Sequence, residues 1–481
     1  MTKRKKEHFR ITKLKRTYNR QTGTFTFNIS YETAAATMTQ RTKAVAEAFG
    51  LGADQTQKFT LYDNTTLRIR PTDIVLITGD SGSGKSVLLK AIKHDLGTAA
   101  QDAADLRISP NTPIIETIGE STAQALELLS KVGLNDAFLF LRSYAELSDG
   151  QKHRYHIARL AETRKQWWLL DEFCSTLDRD TAKIVACNLQ KLARQHAKAV
   201  IAATTHTDLL RDLAPNVHVH KRYGKEITIH YHAKAEPCEC SLTGQMRIEP
   251  GTLQDYKTLS QFHYRTARCP APRKIFVLKR GKETCGVIVY SFPPPMSFGR
   301  SKVWKGALQQ LQREVSTVSR VVVHPKYRSI GLGAKLVRET LPKAGTPCVE
   351  AVAVMARYNP FFEKAEMRRI AESAPSAAVV KALEGLGGLG FDVGLLAGVC
   401  YGERVVSEVG REAVLSVLEE LSKKDAGVRR RLAGLRSVYP KHEEFMAKAA
   451  VLDAEGLAKG LKRLSFMAQT KVYLFWSRES G

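Results

Sequence analysis

The chain has 481 residues, 43% of them hydrophobic and 25% charged, a globular composition long enough for two or three domains with ordinary cores. Lys and Arg number 74 against 48 Asp and Glu, a formal net charge of +26. No stretch approaches the roughly 20 apolar residues of a membrane-spanning helix, which excludes a chain that is itself a membrane transporter.

Eight cysteines, scattered and mostly inside apolar segments, read as reduced thiols of a cytoplasmic protein. Residues 1–20 read as a basic N-terminal arm with no signal peptide, carrying nine Lys or Arg against the single acid Glu7. A first domain is expected over 21–237. Within it, Ile74–Thr78 is apolar and β-branched, as a buried parallel strand is, and Val87–Ile92 has helical composition. Between them stands Gly79-Asp80-Ser81-Gly82-Ser83-Gly84-Lys85-Ser86, a complete phosphate-binding loop. In that setting backbone N–H groups and the helix dipole face the phosphates, Lys85 reaches the β/γ oxygens, and the Ser86 hydroxyl ligates Mg²⁺.

Residues 147–206 give the kind of nucleotide-binding domain. Leu147-Ser148-Asp149-Gly150-Gln151 resembles the ABC signature, with Asp149 in place of its first glycine. Trp167–Glu172 resembles a Walker B strand, Ser175-Thr176-Leu177-Asp178 a D-loop, and Thr204-Thr205-His206 the end of a switch strand. The resemblance to ABC-type ATPases covers about residues 20–235. It implies ATP bound by the phosphate loop, with Ser148, Gly150, Gln151 and Asp178 as further ATP-binding residues. It also implies Mg²⁺ on Ser86 and Asp171, Glu172 as the general base, His206 as the switch histidine, and a head-to-tail ATP-dependent homodimer. The interval from Lys85 to Ser148 is short and holds no evident Q-loop glutamine; Glu116 is either its substitute or a solvated turn residue. His218, His220, His230 and His232 alternate on two short strands ahead of Cys238 and Cys240. That spacing suits either a metal hairpin or a half-exposed sheet face, and no metal is assigned.

A second domain is expected over 245–372, with a strand at Met246–Pro250, a helix at Leu253–Tyr264, and strands at Lys274–Leu278 and Cys285–Phe292. Ser319–Val323, His324-Pro325, then Arg328-Ser329-Ile330-Gly331-Leu332-Gly333-Ala334 resembles motif A of the GNAT acetyltransferases. The resemblance implies that acetyl-CoA lies along Val321, Val322 and Val323. Its pyrophosphate would be cradled by backbone amides from Arg328, Ser329, Ile330, Gly331, Leu332 and Gly333 to Ala334, at a helix N-terminus. Asn359–Met367 resembles the downstream motif, with Asn359 as a cofactor contact. Phe362 stands where that family commonly has the tyrosine that protonates the CoA thiolate. Tyr327, Tyr358 and His263 are either alternative acids or packed, hydrogen-bonded side chains, and Glu350 is either a candidate base or a solvent-facing strand glutamate.

Residues 373–470 read as a helical region containing a Gly385–Gly390 turn, and 471–481 as a terminal strand returning to the acyltransferase sheet. The fold class is α/β, a P-loop ABC-type ATPase domain followed by an α+β GNAT acyltransferase domain with a helical C-terminal insertion. This order resembles a small family of ATPase–acetyltransferase fusions. Phe262–Arg265 and Gly286–Pro294 are also faintly similar to the phage Mom adenine-modification proteins. The basic excess, including Arg265/Arg268/Arg273/Lys274/Lys279/Arg280/Lys282 and Arg429-Arg430-Arg431, favours a nucleic acid, RNA or DNA, as partner. The expectation is an ATP-dependent N-acyltransferase acting on a nucleic-acid amine. The alternatives are a nucleic-acid clamp whose GNAT fold only binds, or transfer to a protein or small amine.

Overall fold

A computed structural model of the protein describes residues 9–33, 39–52, 57–232, 235–263, 269–423, 425–435 and 438–478. They fall into two compact units, Met1–Val289 with Arg320–Val337, and Tyr290–Ser319 with Arg338–Gly481.

The first unit begins with an antiparallel sheet of β1 (Phe9–Asn19), β2 (Thr24–Thr33) and β3 (Lys58–Arg68), in that order. Most of the described part of the basic N-terminal segment is therefore a strand, with the Tyr18 ring stacked 4.2 Å from that of Phe25. A six-stranded sheet follows, formed by β4 (Ile74–Gly79), β5 (Ala100–Asp102), β6 (Trp167–Leu170), β7 (Ala199–Ala203), β8 (Val217–Lys221) and β9 (Ile227–Tyr231). Its order is β5-β6-β7-β4-β8-β9, parallel except for β9. A parallel sheet buried on both faces needs continuous apolar strands. Ile74–Gly79 and Trp167–Leu170 are accordingly buried throughout. Ile74, Leu76, Trp168 and Leu170 meet the helices Asp149–Glu162 and Arg179–Gln195 on one face. Val75, Ile77, Trp167 and Leu169 meet the helix Lys85–Leu96 and Phe25, Phe27 and Tyr62 on the other.

A seven-stranded sheet contains β10 (Arg247–Pro250), β11 (Pro272–Arg280), β12 (Glu283–Ser291), β13 (Val315–Val323), β14 (Cys348–Ala353), β15 (Arg368–Ser373) and β16 (Lys471–Ser477), in the order β10-β11-β12-β13-β14-β16-β15. In the first unit, Val287, Val289 and Val322 pack with Tyr256 and Leu259 of the helix Leu253–Ser260. In the second, β13 and β14 are parallel over Val315–Val318 against Cys348–Ala351, and β16 runs antiparallel to both β14 and β15. Among the described residues between Ala377 and Met467, six α-helices enclose their own apolar core around Leu386, Val406, Leu418 and Leu461. The expected Gly385–Gly390 turn is shorter than the composition suggests: Gly385–Gly388 close the helix Ala377–Gly388, and the chain leaves it at Leu389. Glycine lowers helix propensity by only about 1 kcal/mol, which the packing of Leu386 and Val379 offsets.

Candidate nucleotide and acyl-CoA sites

The phosphate loop connects the end of β4 to the helix Lys85–Leu96. Gly79 sits at φ 145°, and a Cβ there would come within 1.9 Å of the Lys221 carbonyl oxygen on β8, so only glycine fits. Lys85 donates to the carbonyls of Gly79 (2.8 Å) and Asp80 (2.6 Å), and burial lowers its pKa. Ser86 Oγ donates to Asp171 Oδ1 at 3.0 Å, and Asp171 also accepts the Glu172 N–H at 3.0 Å. The residues assigned to Mg²⁺ thus converge from a helix N-terminus and a strand end, and this hydroxyl–carboxylate pair fits a hard cation.

Ser81, Gly82, Gly84, Lys85, Ser86, Asp171 and Glu172 line a cavity of about 860 Å³. Gly79, Asp80 and Ser83 complete the loop behind it. Tyr31, Phe59, Leu61 and Tyr223, which no motif in the sequence marks, also line it. Tyr31 and Phe59 are aromatic residues on strands preceding the phosphate loop, the available signal for these two. Tyr223 donates to the Ser81 carbonyl at 2.6 Å, across 142 residues of sequence. His206, whose N–H bonds to Thr204 Oγ1 at 3.2 Å, is not in this lining, and neither is Glu116, which is exposed on the turn Ile114–Glu116.

Ser148 caps the helix Asp149–Glu162 in a capping box with Gln151, and Asp149 occupies the first helical turn, where a carboxylate suits the dipole. Ser148, Gly150, Gln151 and Asp178 line a separate cavity of about 610 Å³. The signature therefore lies apart from the cavity of its own phosphate loop.

In the GNAT-like segment, the turn Pro325–Tyr327 leads to the helix Leu332–Thr340. Ser329 and Gly331 have φ of 75° and 89°, a backbone that turns successive N–H groups toward one side. The N–H groups of Leu332, Gly333 and Ala334 have no acceptor among the described residues, and Lys335 is the first to bond, to Gly331 at 3.0 Å. This is a helix start able to take an anion. The Arg328 side chain, by contrast, is engaged with protein: it donates to Asp136 Oδ2 (3.0 Å) and to the Val323 carbonyl (3.1 Å). Val321–Val323 end β13 beyond its register with β14. Asn359 belongs to the second unit, its N–H bonded to the Met355 carbonyl at 2.9 Å.

Glu350 is neither solvent-facing nor a free base. It is fully buried on β14, accepts two bonds from Arg300 (2.9 and 2.7 Å) and takes the hydroxyls of Thr317 (2.9 Å) and Tyr473 (2.8 Å). Every strong acceptor direction is filled, and proton abstraction would break an ion pair. Phe362 is buried, its ring 4.1 Å from that of Phe361. Among the alternative acids, Tyr327 donates to Glu283 Oε2 at 2.7 Å, and burial pushes its phenol up to about 12. Tyr358 lies beneath the Arg357 guanidinium, and the His263 N–H closes a helix end on Ser260.

The histidines and cysteines divide. His218 and His220 both bond Thr78 Oγ1, at 2.8 and 3.0 Å, whereas Cys238 lies beside Gln190 and Cys187 donates to its carbonyl. No group of three or more His, Cys, Asp or Glu suited to a metal occurs among the described residues. Arg265 and Arg268 of the basic stretch, and Tyr264 of the Mom-like segment, lie outside the described residues. Arg429 bonds the carbonyls of Pro440 and Ser422, and Arg430 stacks 4.8 Å over Tyr439.

A phosphate loop between a buried parallel strand and a helix, with a strand-end aspartate on its serine, defines a P-loop ATPase cassette. The helix-start loop at 328–334 in a mixed sheet is the second module. Comparison with known families agrees: the ABC transporter family model matches residues 93–175, and the acetyltransferase (GNAT) family model matches residues 243–364. The chain carries an ABC-type ATPase domain followed by a GNAT-type acetyltransferase domain, with a helical C-terminal region.

Among curated proteins, it is similar to the methionine import ATP-binding protein MetN of Xanthomonas euvesicatoria pv. vesicatoria, 30% identical over 191 residues, covering 32% of this chain and 56% of the relative. It is also similar to the cytochrome c biogenesis ATP-binding export protein CcmA of Vibrio parahaemolyticus, 26% identical over 188 residues, covering 32% of this chain and 87% of the relative. The chain spans about half the length of the first of these. Among solved structures, the dimeric bacterial ABC transporter cassette MJ0796 aligns at 18% identity and a TM-score of 0.29, over 36% of this chain and 92% of that one. No helix among the described residues is long and apolar enough to cross a membrane.

Proposed function

We propose that the protein is an ATP-dependent N-acyltransferase that uses acetyl-CoA to modify an amine of a nucleic acid. The observation that carries the reading is the coexistence in one chain of two phosphate cradles, one at Gly79–Ser86 with Asp171 and one at Arg328–Ala334. In the first, Lys85 and the loop N–H groups hold ATP, Ser86 and Asp171 hold Mg²⁺, Glu172 orients water, and His206 senses the γ-phosphate. A second copy supplies Ser148, Gly150, Gln151 and Asp178, so ATP favours a clamp-like homodimer. In the second, the N–H groups of Ile330 to Ala334 hold the diphosphate of acetyl-CoA, which supplies an activated acyl group. Val321–Val323 bind the rest of the cofactor.

Nucleic acid is favoured by charge. Residues 245–372 alone hold 23 Lys or Arg against nine Asp or Glu. The setting would be cytoplasmic. A clamp whose acyltransferase fold only binds is the second reading, supported by buried Phe362 at the usual acid's position and by the sequestered Glu350. Incubation with labelled acetyl-CoA, ATP and separately RNA, DNA or protein tests the proposal. Label in RNA or DNA sustains it, label in protein redirects the acceptor, and binding without transfer selects the clamp.

A further inference from the structure

The loop assigned to acyl-CoA is held at three places by the ATPase, all within the first unit. Lys326 Nζ lies 2.8 Å from Asp180 and 3.5 Å from Asp178, the aspartate that caps the helix Arg179–Gln195 by accepting the Thr181 N–H. Arg280, at the end of β11, reaches the same Asp180 at 2.7 Å. Arg328 pairs with Asp136, and Asn188 of the same ATPase helix donates to Ser329 Oγ at 2.6 Å. Lys326 and Arg328 also line the cavity formed by Ser148, Gly150, Gln151 and Asp178.

The ion cluster is strong by the standards of surface pairs. Its members are 20–29% exposed apart from Asp178, and Asp180 takes two cations at once. The hydrogen bond from Arg280 leads the effects that hold the Asp180 carboxyl down at about 2. Burial opposes the charge on Lys326, but Asp180 and its neighbours carry it up to about 12.

We infer that Lys326, in the turn that leads into the acyl-CoA loop, is a positioning residue of the ATPase, holding the D-loop carboxylate Asp178 and Asp180 of the helix that follows it, so that acyl-CoA and ATP oppose each other's binding. This rests on the reading of both cradles given above. A diphosphate arriving at Ile330–Ala334 would bring negative charge within a few residues of Lys326 and Arg328, which already neutralise Asp178, Asp180 and Asp136. The cations cannot serve both sets of anions at full strength, so the diphosphate loosens the D-loop. That difference in interaction free energy is what a linkage between two sites requires, and the linkage is reciprocal.

The experiment measures the Kd of a non-hydrolysable ATP analogue by calorimetry with and without saturating acetyl-CoA, and the converse titration. Acetyl-CoA is expected to raise the Kd for the analogue at least about five-fold, with the same factor in the reverse direction. Lys326→Ala and Asp180→Asn should each bind both ligands with the factor reduced to near one, and Lys326→Arg should retain it. A purely structural role for the cluster would lower stability in the variants while leaving the factor intact. Acetyl-CoA binding that leaves the analogue's Kd unchanged overturns this inference and spares the proposed function. A factor that survives both Lys326→Ala and Asp180→Asn also overturns it. Absence of acetyl-CoA binding overturns both.

Discussion

Arg300 grips Glu350 with two parallel hydrogen bonds, Nε to Oε2 at 2.9 Å and Nη2 to Oε1 at 2.7 Å, with both side chains almost wholly excluded from solvent. The pair sits in the second unit beneath Thr317 and Tyr473. Removing one member of such a pair leaves an uncompensated buried charge, at a cost of about 3–5 kcal/mol. Glu350→Ala is therefore expected to lower the denaturant midpoint of that unit sharply, whereas the double change Arg300→Met with Glu350→Leu should recover most of the loss. Urea unfolding monitored by fluorescence checks this. A Glu350→Gln protein of unchanged stability but without transfer would restore Glu350 as the base.

At the nucleotide site, Lys85→Ala should abolish ATP binding because the loop loses the cation that the motif assigns to the β/γ phosphates. Glu172→Gln should keep binding and lose turnover by about two orders of magnitude or more, since Ser86 and Asp171 remain while the water-orienting carboxylate is gone. With saturating ATP the Glu172→Gln protein should elute as a dimer with light-scattering detection; a monomer would refute the head-to-tail arrangement.

The acyl-CoA loop yields a complementary variant. Gly331 has φ 89° with no atom near an added Cβ, so the obstacle to Gly331→Glu is backbone strain and charge rather than space. A negative side chain beside the Leu332–Ala334 N–H groups should abolish acetyl-CoA binding in calorimetry while the affinity for ATP persists. Gly333→Glu should do the same.

Two histidines set an acid limit. Burial, with His156 adding, pulls the pKa of His153 down to about 4, and burial with neighbouring histidines does the same to His218. Both are neutral in the fold, whereas the unfolded chain protonates near 6.5. Unfolded molecules thus bind more protons between about pH 6.5 and 4, so stability falls as pH falls through that window and is level above it. For the well-buried His153 the loss is about 2 kcal/mol at pH 5. Melting temperatures at pH 7 and pH 5 should differ less in His153→Gln, which keeps an acceptor toward the Cys174 N–H.

Nucleic-acid affinity should fall with salt at a log–log slope of about −0.7 to −0.9 for each phosphate contacted. Because Phe9–Asn19 is a paired strand, deleting residues 1–20 would tear β1 from β2. Removing residues 1–8 is the cleaner test and should shallow the slope with acetyl-CoA affinity unchanged. A flat salt dependence together with ATPase rates indifferent to RNA and DNA would dismiss the nucleic-acid partner.

The sequence by itself determined the local segments that carry the candidate chemistry. Gly79–Ser86, Ser148–Gln151, Trp167–Glu172 and Arg328–Ala334 each use residues adjacent in the chain, and adjacency fixes both the turn and the groups it presents. The apolar, β-branched run Ile74–Thr78 likewise declared a buried parallel strand, and Trp167–Glu172 one resembling a Walker B strand. What lay beyond it were pairings between distant residues: Glu350 with Arg300, Asp180 with Arg280 and Lys326, Arg328 with Asp136, Tyr223 with Ser81. A carboxylate on a strand reads the same whether it faces water, a base's role or a buried guanidinium. A run of lysines and arginines likewise reads the same whether it meets phosphates or internal carboxylates. Only the tertiary structure decides between them, because desolvation and a partner's geometry, neither of which is encoded by neighbours in the chain, set what a charge can do.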